Sequence, residues 1–410
     1  MHMQLKALRV CKDNMKFIKL PLLAQISSVH LVSHFHMMVL PALIPLLSAQ
    51  RDISFVELGF ALSVFNIVSA CVQTPIGFMV DRLGARRTLT AGLTLGSLCF
   101  FSLGFFGSYT WLLAAMAMAG IANAVYHPAD YALLSRGIDE TRMGRAFSIH
   151  TFSGFLGTAI APGILLAVAA FSGINSAFIV SGVIGLLAVP LLLSEHDEPV
   201  RIQPASTVKN QPGKSRAPVF TLPILALLIL FLLLNLSTGS IQNFSVTALV
   251  TGYDLPLSQA NVVLTAFLFS SAFGVLAGGA LADKTKRHGL VATAALALTA
   301  VLVSIVAIYP LPTVVLVPLL GTAGFLSGMI APSRDMLVRA ASPPGAEGRV
   351  FGIVSTGFNI GGAAGPVLFG WLLDHGHPQA IFWSAVIFML ITSFITLLQE
   401  MRSIRRRALA

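Results

Sequence analysis

The sequence predicts an all-α integral membrane protein, with twelve transmembrane helices in two parallel, pseudo-symmetric six-helix bundles. Three observations predict it: hydropathy, the placement of basic residues, and an internal repeat. Of the 410 residues, 56% are hydrophobic and only 10% are charged. Mean hydropathy is +0.84. Soluble domains carry about 25% charged residues, so this chain has lipid as its main solvent. The composition excludes a soluble enzyme, a disordered chain and a fibrous protein.

A spanning helix needs about 20 mostly apolar residues. At the N-terminus, Lys6, Arg9, Lys12, Lys16 and Lys19 precede an apolar run from Leu20 to Leu47. That run is too long for the core of a signal peptide, and no small-residue cleavage site follows it. It reads as an uncleaved first span, 21–48. The others follow at 56–80, 88–107, 110–135, 144–171, 174–194, 220–250, 258–282, 289–309, 312–339, 349–373 and 378–399. Cys11, Cys71 and Cys99 have no disulfide or metal-site spacing.

The formal charge of +10 raises the question of nucleic acid. The placement of the charges answers it. Of the 26 Lys and Arg, 25 lie at the N-terminus, in even-numbered loops and their helix ends, or in the C-terminal tail; the exception is Arg51. Short cytoplasmic loops retain Lys and Arg. Both termini are therefore expected in the cytoplasm, at an inner membrane, with the lipid bilayer rather than nucleic acid as partner. The longest polar stretch separates six spans from six. It gives an N-terminal bundle with a basic leader (1–194), a linker (195–219), and a C-terminal bundle with a basic tail (220–410).

The halves repeat. Gly120, Pro128, Gly144-Arg145, Phe147, Gly157 and Pro162 recur 204 positions later as Gly324, Pro332, Gly348-Arg349, Phe351, Gly361 and Pro366. Gly77 and Asp81 recur at 202 as Gly279 and Asp283. An offset of six helices keeps both halves in one orientation, an arrangement suited to a site between them and alternating access.

Between spans 2 and 3 stands Gly77-Phe-Met-Val-Asp81-Arg82-Leu-Gly84-Ala-Arg86-Arg87. It resembles the G-x-x-x-D-R-x-G-x-R-[RK] signature of the major facilitator superfamily. A weaker copy, Gly279-Ala-Leu-Ala-Asp283-Lys284-Thr-Lys286-Arg287, lies between spans 8 and 9. Span 1 (His30 to His34, then Leu40-Pro41) and Tyr126-His127-Pro128-Ala129-Asp130 in span 4 are similar to transporters of the fosmidomycin-resistance type. Here His34 stands where that group has an acidic residue. The resemblance implies a twelve-span transporter whose loop motif latches the halves in the outward-facing state. The alternative for the motif is a simple charged anchor.

Two groups of residues stand out. The gating and charge network comprises Gly77, Asp81, Arg82, Gly84, Arg86, Arg87, Asp130, Arg136, Arg145, Asp283, Lys284, Arg334, Asp335 and Arg349. Asp130 is the one acidic residue well inside a first-half span. Its position near the end of span 4 suggests an ion pair with Arg136, Arg145 or the loop arginines; a proton-carrying carboxylate is the alternative. Arg334 and Asp335 either neutralise each other or join that network, or Arg334 binds an anionic substrate. The second group comprises cavity candidates. His30 and His34 share a helical face, and imidazole titrates near neutral pH. His127 and His150 are further candidates. Asn235, Thr238 and Gln242 share a face of span 7, with Asn243 adjacent. Gln73, Asn123 and Asn359 are single amides. Each has the bland alternative of interhelical hydrogen bonding. No metal is expected, since the histidines lie on three helices with no carboxylate at their depth.

The reading that follows is a secondary transporter acting as a monomer, without cofactor, on a small-molecule substrate. Protons are the expected coupling ion. Efflux by antiport is favoured over uptake of an organic anion or metabolite, because Gly157-Thr-Ala-Ile-Ala161-Pro162-Gly163 partly resembles the antiporter motif. A lipid-handling membrane enzyme and a non-transporting sensor are the rivals. No phosphate-binding loop or nucleophile–base constellation supports an enzyme.

Overall fold

A computed structural model describes residues 20–139, 142–193, 221–285, 287–342 and 347–409. They form α1 (Leu22–Met37), α2 (Val39–Arg51), α3 (Phe55–Leu83), α4 (Ala85–Leu103), α5 (Tyr109–Gly137) and α6 (Met143–Leu193) in the first half. The second half has α7 (Leu222–Tyr253), α8 (Leu257–Lys284), α9 (His288–Ile308), α10 (Thr313–Ala341), α11 (Glu347–Asp374) and α12 (Gln379–Leu409). Among the described residues, ten helical segments are long and apolar enough to cross a membrane. The leader and the linker with Lys209 lie outside the described residues.

Three junctions differ from the sequence expectation. Span 1 is broken at Met38 into α1 and α2. Pro41 explains the break, because it offers no N–H to the Met37 carbonyl and its ring crowds that oxygen. Expected spans 5 and 6 run together as α6. The 49-residue segment Arg145–Leu193 would rise about 73 Å if straight, against a hydrocarbon core of about 30 Å. The backbone instead leaves helical geometry at Gly173, with φ 83° and ψ 166°. Finally, the loop after α3 shrinks to one residue. Gly84 has φ 92°, a conformation that favours glycine, and Arg86 and Arg87 already lie in the first turn of α4.

Within the first half α1 packs on α6, α3 on α5, and α4 on both α5 and α6. Within the second, α7 packs on α11 and α12, α8 on α10, and α9 on α10 and α12. The halves meet through α3–α11, α6–α8 and α2–α7. The repeated glycines make matching close approaches. A Cβ on Gly120 would strike the Phe65 carbonyl, and one on Gly324 the Phe267 carbonyl. The only non-glycine residues with positive φ among those described are Asp52 and Asp254, which end α2 and α7. Large apolar side chains such as Phe171, Leu187 and Val314 point outward, as lipid-facing residues do.

The two ends of the molecule differ. At one end Asp374, closing α11, accepts hydrogen bonds from the Phe55 and Val56 amides at 2.9 and 2.8 Å. This carboxylate of the second half thus caps a first-half helix. Gly59 lies against Pro366, and Gly370 against Phe55. At the other end, Gly77, Gly279 and Gly352 have open space where a Cβ would stand, and Phe78 is 64% exposed. Close backbone contacts thus join the halves at the Asp374 end, while these glycines at the Asp81 end face open space.

Candidate functional site

A cavity of ≈ 200 Å³ lies between the halves. The first half lines it with His34, Asn66 and Thr158, among others; the second supplies Asn235, Thr238, Gln242 and Asn243. Gly361, Gly362 and Gly365 of α11 form part of the wall. The amide face of α7 thus points into the space between halves. Neutral amides and hydroxyls hydrogen-bond oxygen-rich solutes without the cost of burying a charge.

Behind His34 lies a polar cluster contained within the first half. The His30 and His34 ring centroids are 4.7 Å apart, and His34 Nδ1 is 3.2 Å from the Thr158 hydroxyl. His30 Nδ1 is 3.1 Å from Asp130 Oδ2. His150 stacks on His30 at 3.8 Å and places Nε2 3.6 Å from the same carboxylate oxygen. All three groups are buried, Asp130 completely. His127 sits 5.6 Å from His30, edge to face, and is itself exposed. Tyr131 continues the aromatic row from His127 to Phe147.

This geometry corrects two expectations. Asp130 does not join the loop arginines; it is enclosed by imidazoles, while Arg145 is exposed and the Arg136 side chain lies outside the described residues. A carboxylate therefore does lie at histidine depth. Counting from helix ends explains why. His30 is eight residues into α1, Asp130 seven before the end of α5, and His150 seven into α6. At 1.5 Å per residue all three are about 11 Å from the same end. His30 and His150 also sit behind the cavity wall rather than in it.

Other candidates separate in the same way. Asn123 donates to the Ser69 hydroxyl at 3.0 Å, an interhelical bond between α5 and α3. Gln73 and Asn359 are half-buried and lie outside the cavity lining. Asn66 and Thr158 were missed. Asn66 lies seven residues before Gln73, two helical turns away on one face, and that spacing was the available signal. Asp81, Arg82, Arg87 and Lys284 are exposed. Arg86 instead binds within the first half, donating to Gln25 Oε1 at 3.0 Å and to the Leu192 carbonyl at 3.3 Å. The Asp283 and Arg349 side chains lie outside the described residues.

Arg334 forms the second-half counterpart. Its guanidinium pairs with Asp335 at 2.9 Å and lies 4.8 and 5.0 Å from the Phe231 and Phe358 ring centroids. The aromatic faces attract the cation.

A family model described as Major Facilitator Superfamily matches residues 26–320 and 228–408. The Fosmidomycin resistance protein of Escherichia coli (strain K12) is 24% identical over 88% of each chain. The Multi-drug resistance efflux pump PmrA of Streptococcus pneumoniae serotype 4 is 26% identical over 83% of this chain and 85% of its own. Among solved structures, a bacterial homolog of the human lysosomal transporter Spinster, inward-facing and unoccupied, aligns with a TM-score of 0.74. It is 14% identical, covering 92% of this chain and 96% of that one.

Proposed function

This chain belongs to the Major Facilitator Superfamily, and from that premise we propose that it moves a small organic solute across the inner membrane by alternating access, driven by protons. The observation that carries this reading is the cavity, lined from both halves and ending at His34, with the buried Asp130 cluster behind it. With α1 and α2 read as one span and α6 as two, the helices give twelve spans in two six-helix bundles related by pseudo-symmetry; the matched Gly120 and Gly324 approaches support this. The basic residues put both termini in the cytoplasm, and the Asp81 end, taken as the parted one from its open glycines, is then the cytoplasmic end. Exchange of that opening for one at the Asp374 end is the transport step.

In this mechanism the cavity amides hold the solute. His34 touches the solute space on one side and His30 on the other, so it connects the cavity to Asp130. A proton on this cluster cancels the buried carboxylate charge. Because the cost of a buried charge depends on its surroundings, protonation biases which end opens. Efflux by proton antiport is favoured, as the similarity to an efflux pump supports. Uptake of an organic anion is the second reading, in which Arg334 exchanges its Asp335 partner for the anion.

The test is flux in liposomes containing the purified monomer, using solutes selected because they stabilise it. Accumulation should follow an imposed pH gradient. Equal accumulation with and without the gradient would refute proton coupling, and failure of every stabilising solute to cross would refute transport. Orientation is tested separately. Cysteines at Ser108 and Asn175 should label from outside sealed cells and one at Lys209 should not; external labelling at Lys209 would invert the topology.

A further inference from the structure

We propose that His30, Asp130 and His150 form a binding site for a divalent transition cation of the zinc class. Three helices, α1, α5 and α6, each contribute one donor atom, and the three atoms lie within 4.8 Å of one another. Ligand atoms on tetrahedral zinc, with bonds of about 2.0–2.2 Å, stand about 3.3 Å apart. The separations from Asp130 Oδ2, 3.1 Å to His30 Nδ1 and 3.6 Å to His150 Nε2, bracket that value. Two imidazole nitrogens and one carboxylate oxygen are a donor set suited to zinc and its first-row neighbours rather than to magnesium or calcium.

The surroundings support an occupant. Asp130 Oδ1 and both ring nitrogens of His150 are buried without a hydrogen-bond partner among the described residues. The Tyr126 hydroxyl, one helical turn before Asp130, is buried and unpartnered as well. Native interiors leave few such atoms unpaired, and a cation would engage the carboxylate and one nitrogen of His150. His127, exposed and beside His30, offers a donor along the approach from the parted end. Three protein ligands leave the fourth position for water, as in open zinc sites.

The site lies wholly within the first half. A bound cation therefore ties α1, α5 and α6 together without bridging the halves. It also occupies the lone pairs that protons use in the proposed coupling, so the cation is a blocking ligand rather than cargo.

The test uses tag-free, purified full-length protein in detergent, with Co²⁺ as probe and Zn²⁺ as competitor. One equivalent of Co²⁺ should bind, with the intense visible absorption of a four-coordinate site, and Zn²⁺ should displace it. His30→Gln and His150→Gln should each lose that equivalent. A His375→Gln, His377→Gln double variant, altering an exposed pair, should keep it. Wild-type protein without a stoichiometric Co²⁺ signal would overturn the proposal, as would an unchanged spectrum in folded His150→Gln protein. Either result leaves proton coupling standing, since that reading is judged by flux in a pH gradient.

Discussion

The two halves place opposite chemistry at equivalent positions. Adding the 204-residue offset to Asp130 gives Arg334, and adding it to His150 gives Val354. The first half surrounds a buried carboxylate with imidazoles. The second surrounds a guanidinium with Phe231 and Phe358. His34 and Thr238 line one cavity from opposite halves, so both halves reach the site with different chemistry. The first half places a carboxylate among imidazoles, whereas the second places a guanidinium between aromatic rings and Asp335. In the proposed mechanism the first half carries the proton-binding cluster, and the second carries the Arg334–Asp335 pair.

The largest effect should come from removing the first-half charge. Asp130→Asn is expected to reduce gradient-driven accumulation to the level of empty liposomes while solute exchange persists. Flux measured with and without a pH gradient checks this. Next, Arg334→Gln should weaken binding of an anionic solute about tenfold, close to 1.4 kcal/mol, with Arg334→Lys intermediate. Titration calorimetry at fixed salt distinguishes them. A neutral solute should be indifferent, so an equal loss for neutral and anionic solutes would break the comparison.

A smaller shift is expected at the closed end. Asp374→Ala removes both acceptors for the Phe55 and Val56 amides. Losing such a helix cap costs about 1 kcal/mol, a roughly fivefold shift toward opening there. The labelling rate of a cysteine at Asn243, approached from the Asp374 side, should rise accordingly. The smallest effect sharpens the comparison by contrast. His36 is buried in the same first-half helix, but its Nε2 lies 3.0 Å from the Ser181 carbonyl and its ring is 4.9 Å from Phe100. His36→Gln should lower thermal stability by a few degrees and leave proton-driven flux unchanged.

Much of this architecture is legible in the sequence because lipid imposes it. Apolar runs must be about 20 residues long, and basic residues must alternate between loops. The repeated Gly120 and Gly324 announce a close backbone approach before any coordinates exist. The α7 face was legible too, since Asn235, Thr238 and Gln242 recur at helical spacing. Asp130 was not, because its depth depends on where α1, α5 and α6 end relative to one another. The expected spans 21–48 and 110–135 put His30 nine residues from one end and Asp130 only five from the same end. With α1 starting at Leu22 and α5 running on to Gly137, the two come level. Asn66 was missed for a related reason: a lone amide acquires meaning only once α3 is seen to face α11.

The central claim is that protons act through Asp130 to set which end is open. It is tested most directly without any substrate, by electron–electron distance measurements between spin labels at Leu83 and Lys284, on opposite halves at the parted end. Wild-type protein should change its distance distribution as pH is lowered from 8 to 5.5, and Asp130→Asn should hold one distribution throughout. An Asp130→Asn protein that follows the wild-type pH dependence would contradict the account.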